Sequence, residues 1–168
     1  MSIRVTSLPS SSLALMREAH LVSAGALGLA FVATALLILE GVVRALPGMA
    51  GLTLFTGLVV AFARLLAGNH PYPRLGVANR ITLARAGMAC LIAGRALDPA
   101  PFSTSERWVL VALAGCALLL DGTDGWAARR QGLASAFGAR FDMEIDAFAI
   151  AVLAITAVKA ASAPCWVL

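Results

Sequence analysis

Four aspartates are spaced to do chemistry. Asp121 and Asp124 stand three residues apart and Asp142 and Asp146 four apart, so each pair projects from one face of its own helix, and two antiparallel helices would offer the four carboxylates to one another. With Glu144, the stretch DGTDGWAARRQGLASAFGARFDMEID sets five carboxylates into 26 residues of an otherwise apolar chain. An aspartate at the centre of a membrane helix costs about 2.5 to 3.5 kcal/mol, so four near membrane depth cost on the order of 10 kcal/mol unless a cation offsets them. Arg129, Arg130 and Arg140 can neutralise part of this. A carboxylate cluster with all-oxygen ligation suits hard divalent ions, Mg2+ or Mn2+, and four carboxylates can serve two of them. The bland alternative is an arginine-paired structural network. Glu144 lies two residues from both Asp142 and Asp146, so it points off their face and reads as a solvated or arginine-paired surface group.

Small residues flank the acids. Gly125 and Ala128 follow Asp121 by four and seven positions, and Gly138 precedes Asp142 by four, so each sits one or two turns from an aspartate on a similar face. The space left there admits a flat, phosphate-bearing group close to the backbone. Arg129 adds a guanidinium whose planar fork suits phosphate oxygens in a way lysine cannot copy.

The elements that hold these residues are membrane helices. The chain has 168 residues, 60% hydrophobic and 13% charged, with a mean hydropathy of +0.88. That composition is far from the soluble norm and fits one all-α, polytopic membrane bundle of about five spans. Leu21–Leu39 is an uncharged first span, read as an uncleaved anchor. A turn is expected around Pro47 and Gly48, then a second span over Met49–Ala63 and a break at GNHPYPRLG. A third helix covers Ala78–Leu97, with Asn79, Thr82 and Arg85 on one broad face. A fourth runs from Arg107 or Trp108 to Leu120 and meets the acidic stretch; a fifth starts near Ser135 or Gly138 and reaches about Val158.

Charge orients the bundle. Of the net charge of +4, nearly all comes from 12 arginines and a single lysine. Arg4, Arg17, Arg64, Arg74, Arg80, Arg85, Arg129, Arg130 and Arg140 fall at one set of helix ends, against Arg44, Arg95, Arg107 and Lys159 at the other. The positive-inside rule makes the first set cytoplasmic, so the acids lie near the cytoplasmic face. The basic excess records orientation and anionic lipid rather than nucleic acid. Cys90, Cys116 and Cys165 show no metal spacing and read as small buried hydrophobes. His20 and His70 flank spans and read as interfacial.

The residues Asp121, Asp124, Gly125, Ala128, Arg129, Gly138, Asp142 and Asp146 fit the pattern D-x2-D-G-x2-A-R-x8-G-x3-D-x3-D at every fixed position. This resembles the signature of the CDP-alcohol phosphotransferases, integral membrane enzymes of phospholipid synthesis. Upstream, Asn79, Thr82 and Arg85 resemble the family's N-x2-T-x2-R opening, and together the resemblance covers about residues 74 to 158. It implies transfer of a substituted phosphate from a CDP-alcohol, typically CDP-diacylglycerol, to an acceptor alcohol with release of CMP. By motif position, Asp121, Asp124 and Asp142 hold two divalent ions, and Asp146 completes the metal shell and acts as base. Gly125, Ala128 and Arg129 face the CDP moiety, with Gly138, Asn79 and Thr82 as further CDP-binding candidates. Arg85 and Arg140 are candidates for an acceptor phosphate, although orientation in the membrane explains them equally well. A homodimer and a bacterial inner-membrane location are expected; the acceptor stays open.

The family core has six spans with the signature across the second and third, whereas here it crosses the fourth and fifth of five. Residues 1–70 are therefore expected to be an N-terminal addition of two helices and residues 71–168 the first three spans of the core. A fragment is expected, since the chain ends in apolar residues where another span would begin. The competing functions are an intramembrane cation-binding transporter fragment and an inactive membrane scaffold. Position discriminates the first: transport sites favour mid-membrane broken helices, whereas these acids lie at a helix end beside an arginine and small residues.

Overall fold

Five helices follow one another in the computed structural model: α1 (Ser10–Leu39), α2 (Ala45–Leu66), α3 (Gly76–Ala96), α4 (Thr104–Gln131) and α5 (Ala136–Ala161). The backbone is described over residues 10–67, 69–131, 133 and 135–161, and side chains over the same residues except 10–12, 122–129 and 131; no strand occurs among them.

The helix ends follow local chemistry. α1 covers Ser10–Leu39 and so takes in residues well ahead of the uncharged run that opens at Leu21, Arg17, Glu18 and His20 among them. It stops at Gly41, whose φ of 68° is a left-handed conformation that costs glycine little, and there the Gly41 and Val42 N–H groups donate to Ile38 and Leu37 carbonyls at 3.0 and 2.9 Å. The turn expected at Pro47 and Gly48 is not there. Both residues lie in the first turn of α2, where a proline's missing N–H would have had no helical partner. α4 opens with a reciprocal cap: Glu106 N–H donates to Ser103 Oγ at 3.2 Å, and Ser103 N–H to Glu106 Oε2 at 2.6 Å. This cap sets the start of α4 ahead of Arg107.

α3 is the central element. Among the described residues it packs extensively against α2, α4 and α5 and also touches α1, whereas α4 and α5 pack on α3 far more than on each other. The α2–α3 crossing is set by glycine. A Cβ on Gly51 would lie 2.7 Å from the Cys90 carbonyl oxygen, and one on Gly94 would collide with Gly51 N and Pro47 O. Two glycines thus bring the backbones into contact, the geometry in which small residues join membrane helices without a hydrophobic driving force. Beyond the crossing, Phe55, Val59, Phe62 and Leu66 of α2 and Leu83, Ala86 and Cys90 of α3 share a core with Leu15 and Ala19 of α1 and Ile145 of α5. Cys90 fits the buried role expected of the cysteines, but Cys116 is exposed on α4, and Cys165 lies outside the described residues.

One end of the bundle is closed by charge. Arg95, 3% exposed in its side chain, donates Nε to Glu106 Oε1 at 2.6 Å and Nη2 to Glu106 Oε2 at 3.1 Å, and its guanidinium sits 4.4 Å from the Phe102 ring centroid. Hydrogen bonding from Arg95 outweighs burial and holds the Glu106 carboxyl at about 2. Lys159 of α5 donates to the Ala96 carbonyl at 2.7 Å and to that of Asp98, and Arg44 pairs with Asp98 at 2.6 Å. This end therefore gathers Arg44, Arg95 and Lys159, which the charge count had already put together.

α1 and α2 are long and apolar enough to cross a membrane, over Leu13–Leu39 and Ala45–Leu66. Only 11% of the apolar window of α1 is buried, and Leu29, Phe31, Leu36 and Leu39 stand exposed, as on a lipid-facing helix and unlike a soluble core helix. The expected count of five is not reached by this measure among the described residues; α3 and α5 carry arginines or acids within their length, Arg80, Arg85 and Arg95 in the one and Asp142, Glu144 and Asp146 in the other.

Gly94→Val should lower the unfolding free energy by about 1–3 kcal/mol, since backbone atoms cannot move aside cheaply. Gly57→Val, with nothing within 4 Å of its Cβ, should change it by a few tenths. Thermal unfolding of detergent-solubilised protein, followed by circular dichroism, measures both; equal melting temperatures would contradict the close crossing.

Candidate active site

The other end of α3 holds the chemistry. Asn79, Thr82 and Arg85, one face of α3 as their spacing predicts, are all buried. Arg85 is the focus. Its side chain is 6% exposed, and its guanidinium contacts three carboxylates from two helices: Asp142 Oδ1 at 2.9 Å through Nη1, and Asp121 Oδ1 and Asp146 Oδ1 through Nη2. Thr82 Oγ1 lies 3.3 Å from Asp142 Oδ1 and 3.1 Å from the Ala78 carbonyl oxygen, so its single proton is contested. Asp121, Asp142 and Asp146 remain 47%, 32% and 37% exposed. The arginine is thus buried, while each acid keeps an exposed flank.

The aspartates of α4 and α5 therefore meet through α3. The sequence suggested two helices presenting acids directly to one another; instead Arg85 stands between them. Among the described residues no three metal-ligating side chains are grouped closely enough to hold an ion by themselves. Asp124, Gly125, Ala128 and Arg129 fall within 122–129, so their side chains lie outside the described residues.

Gly138 of α5 packs closely on Asn79 of α3. A Cβ there would sit 3.0 Å from Asn79 Oδ1 and 3.2 Å from Ser135 Oγ, so alanine would press on both. Asn79 is fixed by donating Nδ2 to the Leu75 carbonyl at 2.6 Å, and Ser135 Oγ accepts the Gly138 N–H at 3.0 Å, capping α5. Ser135 was not singled out in the sequence, although a serine three residues before Gly138 at a helix start is a readable cap.

Arg140 is elsewhere. It is exposed and lines, with Asn69, Phe62, Phe137 and Phe141, a groove of about 780 Å³ between α2 and α5, on a different face of α5 from Asp142 and Asp146. Another polar link missed in the sequence joins α1 to α3: Glu18 accepts from Arg80 Nη2 at 2.6 Å and from the Leu75 N–H at 3.4 Å.

A family model described as CDP-alcohol phosphatidyltransferase matches residues 75–168, more than half of the chain and all of α3, α4 and α5. The chain belongs to the CDP-alcohol phosphatidyltransferase family. No curated protein and no solved structure matches it. Members of this family transfer a phosphatidyl group from a CDP-alcohol to an alcohol acceptor in phospholipid synthesis, and they generally use divalent metals. The donor chemistry of this CDP-alcohol phosphatidyltransferase domain fits such ions. Three carboxylates converge on one guanidinium, each keeps an exposed flank, and all the donors are oxygen, the set that hard cations prefer.

Arg85→Ala should cost about 2 kcal/mol in EDTA, less than a fully buried pair because the acids are partly solvated. Millimolar Mg2+ should stabilise this variant more than the wild type, as a divalent cation takes over the charge that the guanidinium supplied. Melting curves with and without Mg2+ check this; equal Mg2+ responses would show that Arg85 and the metals do not share these carboxylates.

Proposed function

We propose that this chain transfers a phosphatidyl group from CDP-diacylglycerol to the hydroxyl of an acceptor alcohol, releasing CMP, at the cytoplasmic face of a five-span bundle. The observation that carries this reading is the convergence of Asp121, Asp142 and Asp146, from two helices, on Arg85 of a third. The clustering of Arg44, Arg95 and Lys159 at the opposite end supports the assignment of sides, since most of the remaining arginines lie at the acidic end.

Asp121, Asp124 and Asp142 are the residues that would hold two Mg2+ or Mn2+ ions, with Asp146 completing the set. Bound there, the ions neutralise charge building on the phosphate oxygens. The chain's own residues do the rest. Arg85 fixes Asp142 and Asp146 through separate nitrogens, so the α5 carboxylates are held in position before substrate arrives. Thr82 adds a second contact to Asp142. Asp146 takes the proton from the acceptor hydroxyl as its oxygen bonds to the phosphorus carrying the lipid; the bond from that phosphorus to the CMP oxygen breaks, and CMP leaves. Gly125 and Ala128 leave room for the nucleotide, Asn79 and Thr82 line its α3 side with Gly138 packed against Asn79, and Arg129 faces the pyrophosphate, where a bidentate guanidinium suits the oxygens.

Asp146→Asn should reduce CMP release from CDP-diacylglycerol by at least about 100-fold while leaving CDP affinity within a few-fold of wild type. Radiolabelled CMP release and equilibrium dialysis with CDP measure the two. Activity surviving the substitution would remove Asp146 as the base; Mg2+ binding without any CDP binding by the wild type would favour an ion pathway instead.

A further inference from the structure

A feature outside the family match bears on the same end of the bundle. His70, in the turn between α2 and α3, is five residues before the matched region begins at Leu75. Its Nε2 lies 2.9 Å from the Arg74 carbonyl oxygen, which can only accept, so that nitrogen carries the proton. Nδ1 is then an acceptor, and it lies 3.3 Å from Ser135 Oγ. Ser135 Oγ already accepts the Gly138 N–H at 3.0 Å, which leaves the hydroxyl proton for His70. Every donor in the series has one acceptor: Gly138 N–H to Ser135, Ser135 O–H to His70 Nδ1, His70 Nε2–H to Arg74.

Arg74 is followed by Leu75, the residue before α3, whose carbonyl accepts Asn79 Nδ2 at 2.6 Å, and Asn79 Oδ1 stands against Gly138 at the 3.0 Å measured to an added Cβ. The ring of His70 is seated edge-on between Tyr72 and Phe137, at 5.8 and 6.1 Å between centroids. The start of α5 therefore packs directly on Asn79 of α3 at Gly138 and is linked by hydrogen bonds through the imidazole to the turn ahead of α3.

We infer that His70 is a positioning residue for nucleotide binding: through Ser135 it holds the start of α5 against α3 at Gly138, one turn ahead of Asp142, and so sets where the α5 carboxylates stand relative to Asn79, Thr82 and Arg85. This rests on the reading above that this end of the bundle takes the CDP moiety. His70 touches no reacting group and acts through the cap of α5. Because the imidazole comes from the turn ahead of α3, α2 and that turn contribute to the site.

The test is CDP affinity of the full chain in detergent with Mg2+, read by equilibrium dialysis, so that no turnover is needed. His70→Ala and Ser135→Ala should each weaken CDP about tenfold, and the double variant should weaken it no further, because both remove one link. His70→Asn, which can keep an acceptor near the position of Nδ1, should recover most of the loss, while His70→Gln should not. Far-ultraviolet circular dichroism should show the same helical content in all five variants. Wild-type affinity in His70→Ala, additive losses in the double variant, or equal rescue by Asn and Gln would each overturn the positioning role. A wild-type chain that binds no CDP would instead overturn the transferase reading on which it rests.

Discussion

A buried guanidinium in an apolar bundle has to be surrounded by compensating charge, and that requirement at Arg85 organises this molecule. Placing an arginine at membrane depth costs several kcal/mol unless acids reach it. Asp121 from α4 and both Asp142 and Asp146 from α5 do so, which draws onto a third helix two that, among the described residues, have little contact with each other. The same contacts pre-position the acids. Because one guanidinium stands against three partly solvated carboxylates, structural need and catalytic use need not compete: the arginine holds the inner flank of each acid and leaves the outer flank to ligands.

α3 repeats the device at its far end with a different outcome. Arg95 is as buried as Arg85, but Glu106 satisfies it with two oxygens and the remaining donors go to Ala100 and Pro101 carbonyls and the Phe102 ring. That set closes on itself with little exposure, so it locks the α3–α4 turn and offers a ligand nothing. Between the two polar ends, the glycine contact with α2 fixes the height of α3, and with it the level at which Arg85 meets the acids. One helix therefore carries an open charge cluster, a close backbone crossing and a closed charge cluster in sequence.

Much of this was legible in the residues, and the limits have physical causes. The helical faces of Asn79, Thr82 and Arg85 and of Asp142 and Asp146 follow from local spacing, because three and four residues make one turn whatever surrounds them. What joins those faces is long-range. The partners of Arg85 lie more than 35 residues away in sequence, and spacing alone could as well have set α4 against α5 directly. Pro47 and Gly48 looked like a turn because the same residues that break helix interiors are tolerated in a first turn, and the stop was supplied by Gly41 instead. The role of Glu106 was readable in STSE as a cap, but not its pairing with Arg95. His70 was read as a flanking residue for want of local partners; its partners, Arg74 and Ser135, include one from two helices further on.

The central claim is that the carboxylates of α4 and α5, gathered by α3, hold divalent ions beside a nucleotide. Electron paramagnetic resonance of Mn2+ added to the chain in lipid nanodiscs with CDP-diacylglycerol tests it most directly. The account predicts two bound, spin-coupled Mn2+ ions that are lost in Asp142→Asn. A spectrum of free Mn2+ alone, or bound Mn2+ indifferent to Asp142, would contradict it.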